Sequence, residues 1–349
     1  MNKESKQLKQ DFYSLSLPDI KAWCEKQGLE SYRADQIFTW QKKGLTEFAE
    51  MSDISKDIRQ RLTQEFDAIP LQVSREISSA QDKTKKYVLA LRDGNVIEAV
   101  LMRYKYGYSV CISTQVGCRM RCAFCASSAL SFVRNLSAGE MLAQVALINR
   151  LNNSEVKRVT IMGIGEPFDN YANLVEFLKR LNDPKGLNIS LRRVTLSTCG
   201  IIDKMLEFVN ECLYITLSVS LHAPNQGIRE KLMPTAKKYR FPDLINAGEH
   251  YARKSGRRIT YEYALFSGIN DQEKHAQELA TALRGRNCHV NIIPANEVPG
   301  FPFRPSFETT IQRFMQVLEQ NGVNVTRRRE LGADIAAACG QLRRSYEGA

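Results

Sequence analysis

The chain has 349 residues, of which 43% are hydrophobic and 25% are charged, and its formal net charge is +11 at pH 7. This composition is typical of a globular protein with a sizeable core, and it excludes a collagen-like or low-complexity chain. Residues 1–12 are polar, so they predict neither a signal peptide nor a membrane span. We therefore expect a cytoplasmic protein whose nine cysteines are reduced and available for metal binding or catalysis.

The positive charge is concentrated in the middle of the chain. Residues 71–200 contain 18 Lys and Arg against 10 Asp and Glu, whereas residues 1–70 contain 11 against 12. An excess of this kind favours a polyanionic partner such as nucleic acid, with an ordinary solvated surface as the alternative.

Residues 1–70 predict a small helical domain. Apolar periodicity indicates three short helices, the clearest of which begins near a cap at Asp53 and has Ile54, Ile58 and Leu62 on one face. We interpret these apolar residues as a small core, and we place the domain boundary at residue 70.

Residues 71–106 predict a β-hairpin that links the helical domain to the rest of the chain. Apolar and polar residues alternate on both sides of Asp93-Gly94, which is a strong signal for a tight hairpin turn. Glu98 stands among apolar residues in the second strand, and the pattern alone favours a solvent-facing position for it.

Residues 107–349 alternate between strand and helix patterns, which is typical of parallel βαβ units. Six such units fall short of the eight in a complete TIM barrel, so we predict an α/β fold with a partial (β/α)6 barrel. Its ligands are expected at the carboxyl ends of the strands. The predicted strands are 107–114, 158–163, 192–198, 213–219, 259–265 and 289–294, and the predicted helices are 137–151, 171–182, 200–211, 241–254 and 271–284.

Three cysteines follow the first barrel strand. Cys118, Cys122 and Cys125 have the spacing C-x3-C-x2-C, and no further Cys or His occurs in the next ten residues. Structural zinc takes four protein ligands, whereas three thiolates on a four-iron cluster leave one iron open for another ligand. The spacing therefore predicts a [4Fe-4S] cluster, with three inert thiols as the alternative.

Short polar motifs follow the other strands and are predicted to meet at the same mouth of the barrel. Taken singly they are weak, because a Gly-Ile-Gly-Glu-Pro segment also suits a plain turn and a lone histidine is more often structural. The residues are Gly165 and Glu166 after the second strand, Ser197 in the third, and Ser220, Leu221 and His222 after the fourth.

The C-x3-C-x2-C motif is also that of radical S-adenosylmethionine (SAM) enzymes, in which SAM binds the open iron and is cleaved to a 5′-deoxyadenosyl radical. The chain as a whole resembles the RlmN/Cfr family of radical SAM methyltransferases, which methylate an adenosine ring carbon in 23S ribosomal RNA. The resemblance includes Cys111, seven residues before the cluster motif, Ile-Ile-Pro-Ala-Asn ending at Asn296, and Ala-Ala-Cys-Gly-Gln around Cys339. It also covers the amino-terminal helices, which in RlmN proteins form a helix-hairpin-helix-like accessory domain for RNA.

The resemblance implies a role for each matching residue. Cys118, Cys122 and Cys125 would hold the cluster. Cys339 would carry a methyl group taken from one SAM, and a second SAM would supply the radical that activates it. Cys111 would then release a covalent protein–RNA adduct by forming a disulfide with Cys339, and Glu98 would accept the proton that leaves the base. The residues implied for SAM binding are Gly165, Glu166, Ser197, Ser220, Leu221, His222 and Asn296.

The implied activity is methylation of C2 of an adenosine in the peptidyl-transferase region of 23S rRNA, with a transfer RNA adenosine as a possible second substrate. A flavodoxin or ferredoxin would donate electrons. A Cfr-like enzyme that methylates C8 is the nearest alternative, and a catalytically silent iron–sulfur RNA-binding protein is a remote one. Arg119, Arg121 and Arg134 flank the cluster motif and are predicted to contact RNA phosphates.

Overall fold

Strands of the predicted hairpin region and of the predicted barrel join in one large sheet. The protein is described by a computed structural model that covers residues 9–129, 131–153, 155–296, 301–338 and 340–342. The helices are α1 Leu17–Lys26, α2 Tyr32–Lys42, α3 Lys56–Glu65, α4 Ala138–Leu151, α5 Tyr171–Leu181, α6 Ile202–Asn210, α7 Gln226–Leu232, α8 Phe241–Ser255, α9 Glu273–Leu283 and α10 Glu308–Gln320. The strands are β1 Gln10–Asp11, β2 Phe66–Asp67, β3 Leu71–Ser78, β4 Lys85–Leu91, β5 Val96–Tyr104, β6 Gly107–Ile112, β7 Gln115–Val116, β8 Arg134–Asn135, β9 Val156–Ile161, β10 Val194–Thr198, β11 Thr216–Ser220, β12 Ile259–Leu265, β13 Cys288–Pro294 and β14 Val325–Arg327.

Ten of these strands form an open sheet in the order β14-β13-β12-β11-β10-β9-β6-β5-β4-β3. The neighbours from β6 to β14 are parallel, as expected where helices connect successive strands. All six predicted barrel strands are present. The sequence analysis missed the helices α7 and α10 and the strands β7, β8 and β14. These strands have only two or three residues each and are too short to show a strand period.

The predicted hairpin is confirmed as β4 and β5, with Gly94 in the left-handed region at φ +80°. A preceding strand, β3, pairs with β4 and was not predicted. Because β5 also pairs with β6, the three strands extend the parallel sheet in antiparallel fashion. The division of the chain at residues 70 and 106 remains a prediction.

The amino-terminal segment forms the three expected helices. The cap of α3 is Ser55 rather than Asp53, since the Ser55 side chain accepts from the Ile58 backbone N–H. Asp53 instead accepts a 2.7 Å hydrogen bond from the Trp40 indole. One continuous cluster of buried apolar side chains runs from these helices into the barrel, so the two regions pack on each other.

Arg180 of α5 stabilises this packing through polar contacts. Its guanidinium donates to the backbone carbonyls of Tyr13 at 2.7 Å, Leu15 at 2.9 Å and Ser14 at 3.3 Å. Gln41 of α2 donates to the Leu15 carbonyl as well. The segment before α1, which includes the 3-10 turn Phe12–Ser14, therefore has these carbonyls satisfied by one barrel helix and one amino-terminal helix. No helix within the described ranges is long and apolar enough to span a membrane.

Candidate active site

A cavity at the carboxyl ends of the barrel strands gathers most of the predicted site residues. Its empty volume is about 1000 Å³, counting the open mouth. The position agrees with the rule that ligands of parallel α/β sheets bind beyond the carboxyl ends of the strands. The predicted residues that line it are Cys118, Cys122, Cys125, Gly165, Glu166, Ser197, Ser220, His222 and Asn296.

The three cysteines lie on one wall of the cavity, on the loop that follows β7. The Ala123 N–H of this loop donates to the Leu232 carbonyl at 2.8 Å, which fixes the loop to the end of α7. Burial raises the pKa of the Cys118 thiol to about 12 and that of Cys122 well above its usual value. The site therefore disfavours bare thiolates and needs a bound positive charge to ionise these side chains.

The donor set fits an iron–sulfur cluster better than a single metal ion. One zinc ion would bring its thiolate sulfurs to about 4 Å from each other. Within the described ranges, no group of three Cys, His, Asp or Glu side chains is placed to hold one ion. A four-iron cluster takes one thiolate per iron and so accepts more widely spaced sulfurs. The wall around the cysteines is apolar, with Phe124 packed on Phe266 at a ring-centroid distance of 5.2 Å.

The two glycines of Gly163-Ile164-Gly165 allow neighbouring backbone segments to approach each other. A Cβ on Gly163 would lie 2.6 Å from the Ile112 carbonyl oxygen, and one on Gly165 would lie 2.7 Å from the Gln115 side chain. Gly165 also has φ +112°, a conformation that side chains rarely adopt. The direct reason for glycine here is thus contact with the segment after β6, and a role in ligand contact remains a prediction.

Glu166 directs a buried carboxylate at the cavity. Its oxygens accept from the backbone N–H of Cys199 at 2.7 Å and of Phe168 at 3.1 Å. Burial nevertheless raises the pKa of this carboxyl above its usual value, and the hydrogen bonds oppose the rise only in part. A carboxylate fixed in this way can bind a cationic group, such as the amino group of an amino acid.

His222 is a neutral hydrogen-bonding group in this cavity. Its Nδ1 accepts from the Ala264 N–H at 2.9 Å, which assigns the ring proton to Nε2. Burial, together with the nearby Arg229 guanidinium, lowers the pKa of His222 to about 3. The hydroxyl oxygens of Ser197 and Ser220 lie 3.1 Å apart on the adjacent strands. These side chains provide a polar floor for a ligand that contains both donors and acceptors.

The sequence analysis missed Glu262, which lines the cavity, and Arg229, which contacts the cavity-lining Cys199. Glu262 lies in the fully buried strand β12, and a charged residue in so apolar a strand could have been recognised as a candidate site residue. The Glu262 carboxylate accepts from the Asn291 amide at 2.9 Å and pairs with Arg328 at 3.5 Å. Arg229 is fully buried and donates to the Cys199 carbonyl at 2.7 Å. Its Nε and Nη1 atoms have no hydrogen-bond partner in the described part of the chain. No pattern in the sequence around Arg229 identified it as a candidate site residue.

Leu221 has a fully buried side chain that is part of the main core, and it is not among the cavity-lining residues. Its N–H donates to the Glu262 carbonyl at 3.0 Å. The predicted contact of Leu221 with SAM, like the roles of the other site residues, stays a prediction.

Glu98 and Cys111 lie beside the cavity rather than in its lining. Glu98 is fully buried, contrary to the solvent-facing position that the strand pattern favoured, and its carboxylate lies 3.6 Å from the Lys86 ammonium. Cys111 of β6 packs with Val100 and Ala337 in a small apolar cluster. Both residues belong to the strands that face the carboxyl-terminal segment.

Cys339, the predicted methyl carrier, lies outside the described residues. Its neighbour Gly340 lines the cavity, and the Gly340 carbonyl accepts from the Ala126 N–H at 2.9 Å, directly after the last cluster cysteine. The Ser127 hydroxyl donates to the Leu342 carbonyl at 2.8 Å. The segment after Cys339 is therefore bound to the cysteine loop.

Two of the three arginines predicted to contact RNA have partners within the protein. Arg134 forms a bidentate pair with Glu140 at 2.8 and 2.9 Å and also contacts Asp93. Arg119 pairs with Asp169 at 2.9 Å, although half of its side chain is exposed. These contacts favour a structural role for Arg134 and do not support its role in phosphate binding.

Comparison with known proteins agrees with this geometry. Residues 112–280 match the model of the radical SAM superfamily, which defines the class of the barrel and its cysteine loop. Residues 10–67 match the ribosomal RNA large subunit methyltransferase N-terminal domain. A radical SAM methyltransferase from Sphaerobacter thermophilus superposes with a TM-score of 0.92 at 38% identity, covering 95% of this chain and 99% of that one.

The relatives found by sequence comparison narrow the superfamily to one family. A probable dual-specificity RNA methyltransferase RlmN from Lachnoclostridium phytofermentans is 47% identical, over 96% of this chain and 95% of its own. The relative of the same name from Bacillus subtilis is also 47% identical, over 98% and 95%. The chain belongs to the RlmN family of radical SAM methyltransferases. The predicted fold class is confirmed, and these matches favour the RlmN-like interpretation over the Cfr-like one.

Proposed function

We propose that this protein methylates C2 of an adenosine in RNA, and that the methyl group passes through Cys339. The observation that best supports the proposal is the contact between the carboxyl-terminal segment and the cysteine loop, made by Ala126 with Gly340 and by Ser127 with Leu342. If the cluster only stabilised the fold, there would be no functional reason for the carboxyl-terminal segment to contact the cysteine loop.

The cavity residues fit a cluster and SAM. Cys118, Cys122 and Cys125 would hold three irons. Glu166 would bind the amino group of SAM, and Ser197, Ser220, His222 and Asn296 would bind its remaining polar groups, with Gly165 and Leu221 shaping the walls. When bound, these cofactors exchange single electrons and supply the radical that removes hydrogen from a methyl group.

The adenine carbon C2 is electron-poor, so it does not attack a methyl donor directly, and a protein-bound carrier solves this problem. Cys339 would accept a methyl group on its sulfur. After loss of one hydrogen atom, its methylene carbon would bond to C2. The adduct would lose its unpaired electron to a one-electron acceptor, and the C2 proton would pass to Glu98.

Cys111 would complete the cycle. Its thiolate would attack the Cys339 sulfur, so that an S–S bond forms while the C–S bond to the base breaks. The released carbon would keep the bonding electron pair and take a proton, which yields the methyl group. Reduction of the disulfide by an external thiol would return both cysteines to their starting state.

The proposed substrate is an adenosine in the peptidyl-transferase region of 23S rRNA. The relatives are named dual-specificity RNA methyltransferases, which supports a transfer RNA adenosine as a second substrate. We expect two SAM molecules per turnover, a flavodoxin or ferredoxin as electron donor, and action in the cytoplasm. The excess of basic residues between 71 and 200 would attract the RNA backbone.

Two alanine variants test the assignment, because loss of each cysteine stops the cycle at a different point. Cys339→Ala should form no S-methylcysteine, no product and no covalent RNA. Cys111→Ala should still be methylated and should accumulate a protein–RNA crosslink. Denaturing electrophoresis with labelled RNA and mass spectrometry of the Cys339 peptide measure both. A crosslink in Cys339→Ala, or identical behaviour of the two variants, would contradict the assignment.

A further inference from the structure

Lys86 is a buried cation that contacts two parts of the proposed machinery. Its ammonium lies 3.6 Å from the Glu98 carboxylate and donates to the Ala336 carbonyl at 3.3 Å. The side chain of Lys86 is 7% exposed and that of Glu98 is fully buried. A lysine is rarely buried to this extent without a specific partner.

The strand register places these groups on one face of the sheet. Val88 is opposite Glu98 and Lys86 is opposite Val100, so Lys86 and Glu98 are diagonal neighbours on adjacent strands. Val100 is also opposite Cys111 of β6. Side chains that face each other across paired strands lie on the same side, so the proposed base and resolving thiol share this face.

The carboxyl-terminal segment is attached to the connection between β3 and β4 by contacts that do not involve Lys86. The Gly332 N–H donates to Asp82 at 3.0 Å. Asp334 accepts from the Ser79 hydroxyl at 2.8 Å and from the Ala80 N–H at 2.9 Å. Since these contacts already dock residues 332–334, the position of Lys86 is not explained by docking alone.

We propose that Lys86 is a positioning residue that keeps Glu98 ionised and holds it in register with the segment that carries Cys339. This inference rests on the proposed function, which makes Glu98 the proton acceptor. A fully buried carboxyl without a cation would favour its neutral form, and a neutral carboxyl has no free site for the proton. The positive charge of Lys86 offsets the free-energy cost of burying an ionised Glu98 carboxylate.

The reaction step that Lys86 would support is the transfer of a proton from C2 to Glu98. After the adduct has lost its unpaired electron to a one-electron acceptor, the C2–H bond breaks, its electron pair remains in the adenine ring, and the proton moves to a Glu98 oxygen. Glu98 loses the acquired proton to water before the next cycle. The titratable groups that meet between the strands and the tail include Lys86, Glu98, Cys111, Asp82 and Asp334.

The test compares Lys86→Met with Lys86→Arg, which keeps the charge, in the full-length reconstituted enzyme. Lys86→Met should keep S-methylation of Cys339 but accumulate the protein–RNA crosslink at pH 7, with turnover reduced at least tenfold. Its pH of half-maximal turnover should rise by roughly one unit or more. Lys86→Arg should keep the wild-type pH profile and crosslink level.

A double variant, Lys86→Met/Glu98→Gln, controls for folding, because it removes both buried charges and should melt near the wild-type temperature. A wild-type pH profile and crosslink level in Lys86→Met would overturn the inference, as would an equal defect in Lys86→Arg. Failure of the proposed function is recognised separately, since it would appear as a crosslink in Cys339→Ala or as full turnover in Glu98→Gln.

Discussion

Replacing Arg180 by Met should loosen the amino-terminal region from the barrel. The substitution removes the guanidinium that donates to the carbonyls of Tyr13, Ser14 and Leu15. The Leu15 carbonyl keeps its bond from Gln41, so the carbonyls of Tyr13 and Ser14 and the side-chain oxygen of Gln41 lose the protein donor described for them. Each buried acceptor left without a donor costs about 1–3 kcal/mol.

These losses are offset in part because a buried cation, whose pKa burial lowers, no longer has to be desolvated. We therefore expect the free energy of unfolding to fall by about 2–4 kcal/mol. For a protein of this size, that loss lowers the melting temperature by roughly 3–6 °C.

Differential scanning calorimetry and limited proteolysis of residues 9–67 measure the effect. Arg253→Met, at an exposed position near the end of α8, is the matched control and should change the melting temperature by about 1 °C or less. The reasoning is refuted if Arg180→Met melts with the control and its amino-terminal region resists protease as well as the wild type does.

Three further predictions concern the cavity. Anaerobically purified protein should be brown, and Ala at Cys118, Cys122 or Cys125 should abolish the colour; a colourless wild type that binds one zinc would contradict the cluster. Folding lowers the pKa of His222 from 6.5 to about 3, so the stability associated with its neutral form is present above pH 6.5 and is lost as the pH falls towards 3. Denaturant titrations should show a flatter acid dependence in His222→Gln, and an unchanged slope would count against this. Gly165→Ala should cost about 2–4 kcal/mol and weaken SAM binding in equilibrium dialysis, because its Cβ would collide with the segment after β6; wild-type stability and affinity would exclude the collision.

Much of the barrel could be predicted because its signals are local. The strand at Ile259–Leu265 and the helix at Ala138–Leu151 were predicted within one residue of their observed bounds, and the helix begins at the capping box of Ser137 and Glu140. The three-residue strand β14 carries too little pattern to be recognised. The buried position of Glu98 was also hidden, because it depends on a neighbouring strand and on a tail more than 200 residues away.

The active-site residues likewise include some that a local sequence pattern identifies and others that depend on contacts with distant segments. Cys118, Cys122 and Cys125 lie close together in the sequence, so their spacing alone predicted the cluster. Arg229 and Lys86 act through contacts with distant segments, and no local pattern could have identified them. Such residues become visible only when the fold brings their partners together.

The measurement that most directly tests the central claim is the product formed on RNA. Protein reconstituted anaerobically with iron and sulfide would be incubated with SAM, a one-electron reductant and a 23S rRNA fragment, and the RNA would be digested to nucleosides. Chromatography with mass spectrometry should detect 2-methyladenosine, and Cys339→Ala should yield none. The account would be contradicted if the brown, cluster-loaded wild type produced no methylated adenosine, or if it produced 8-methyladenosine in place of the 2-methyl isomer.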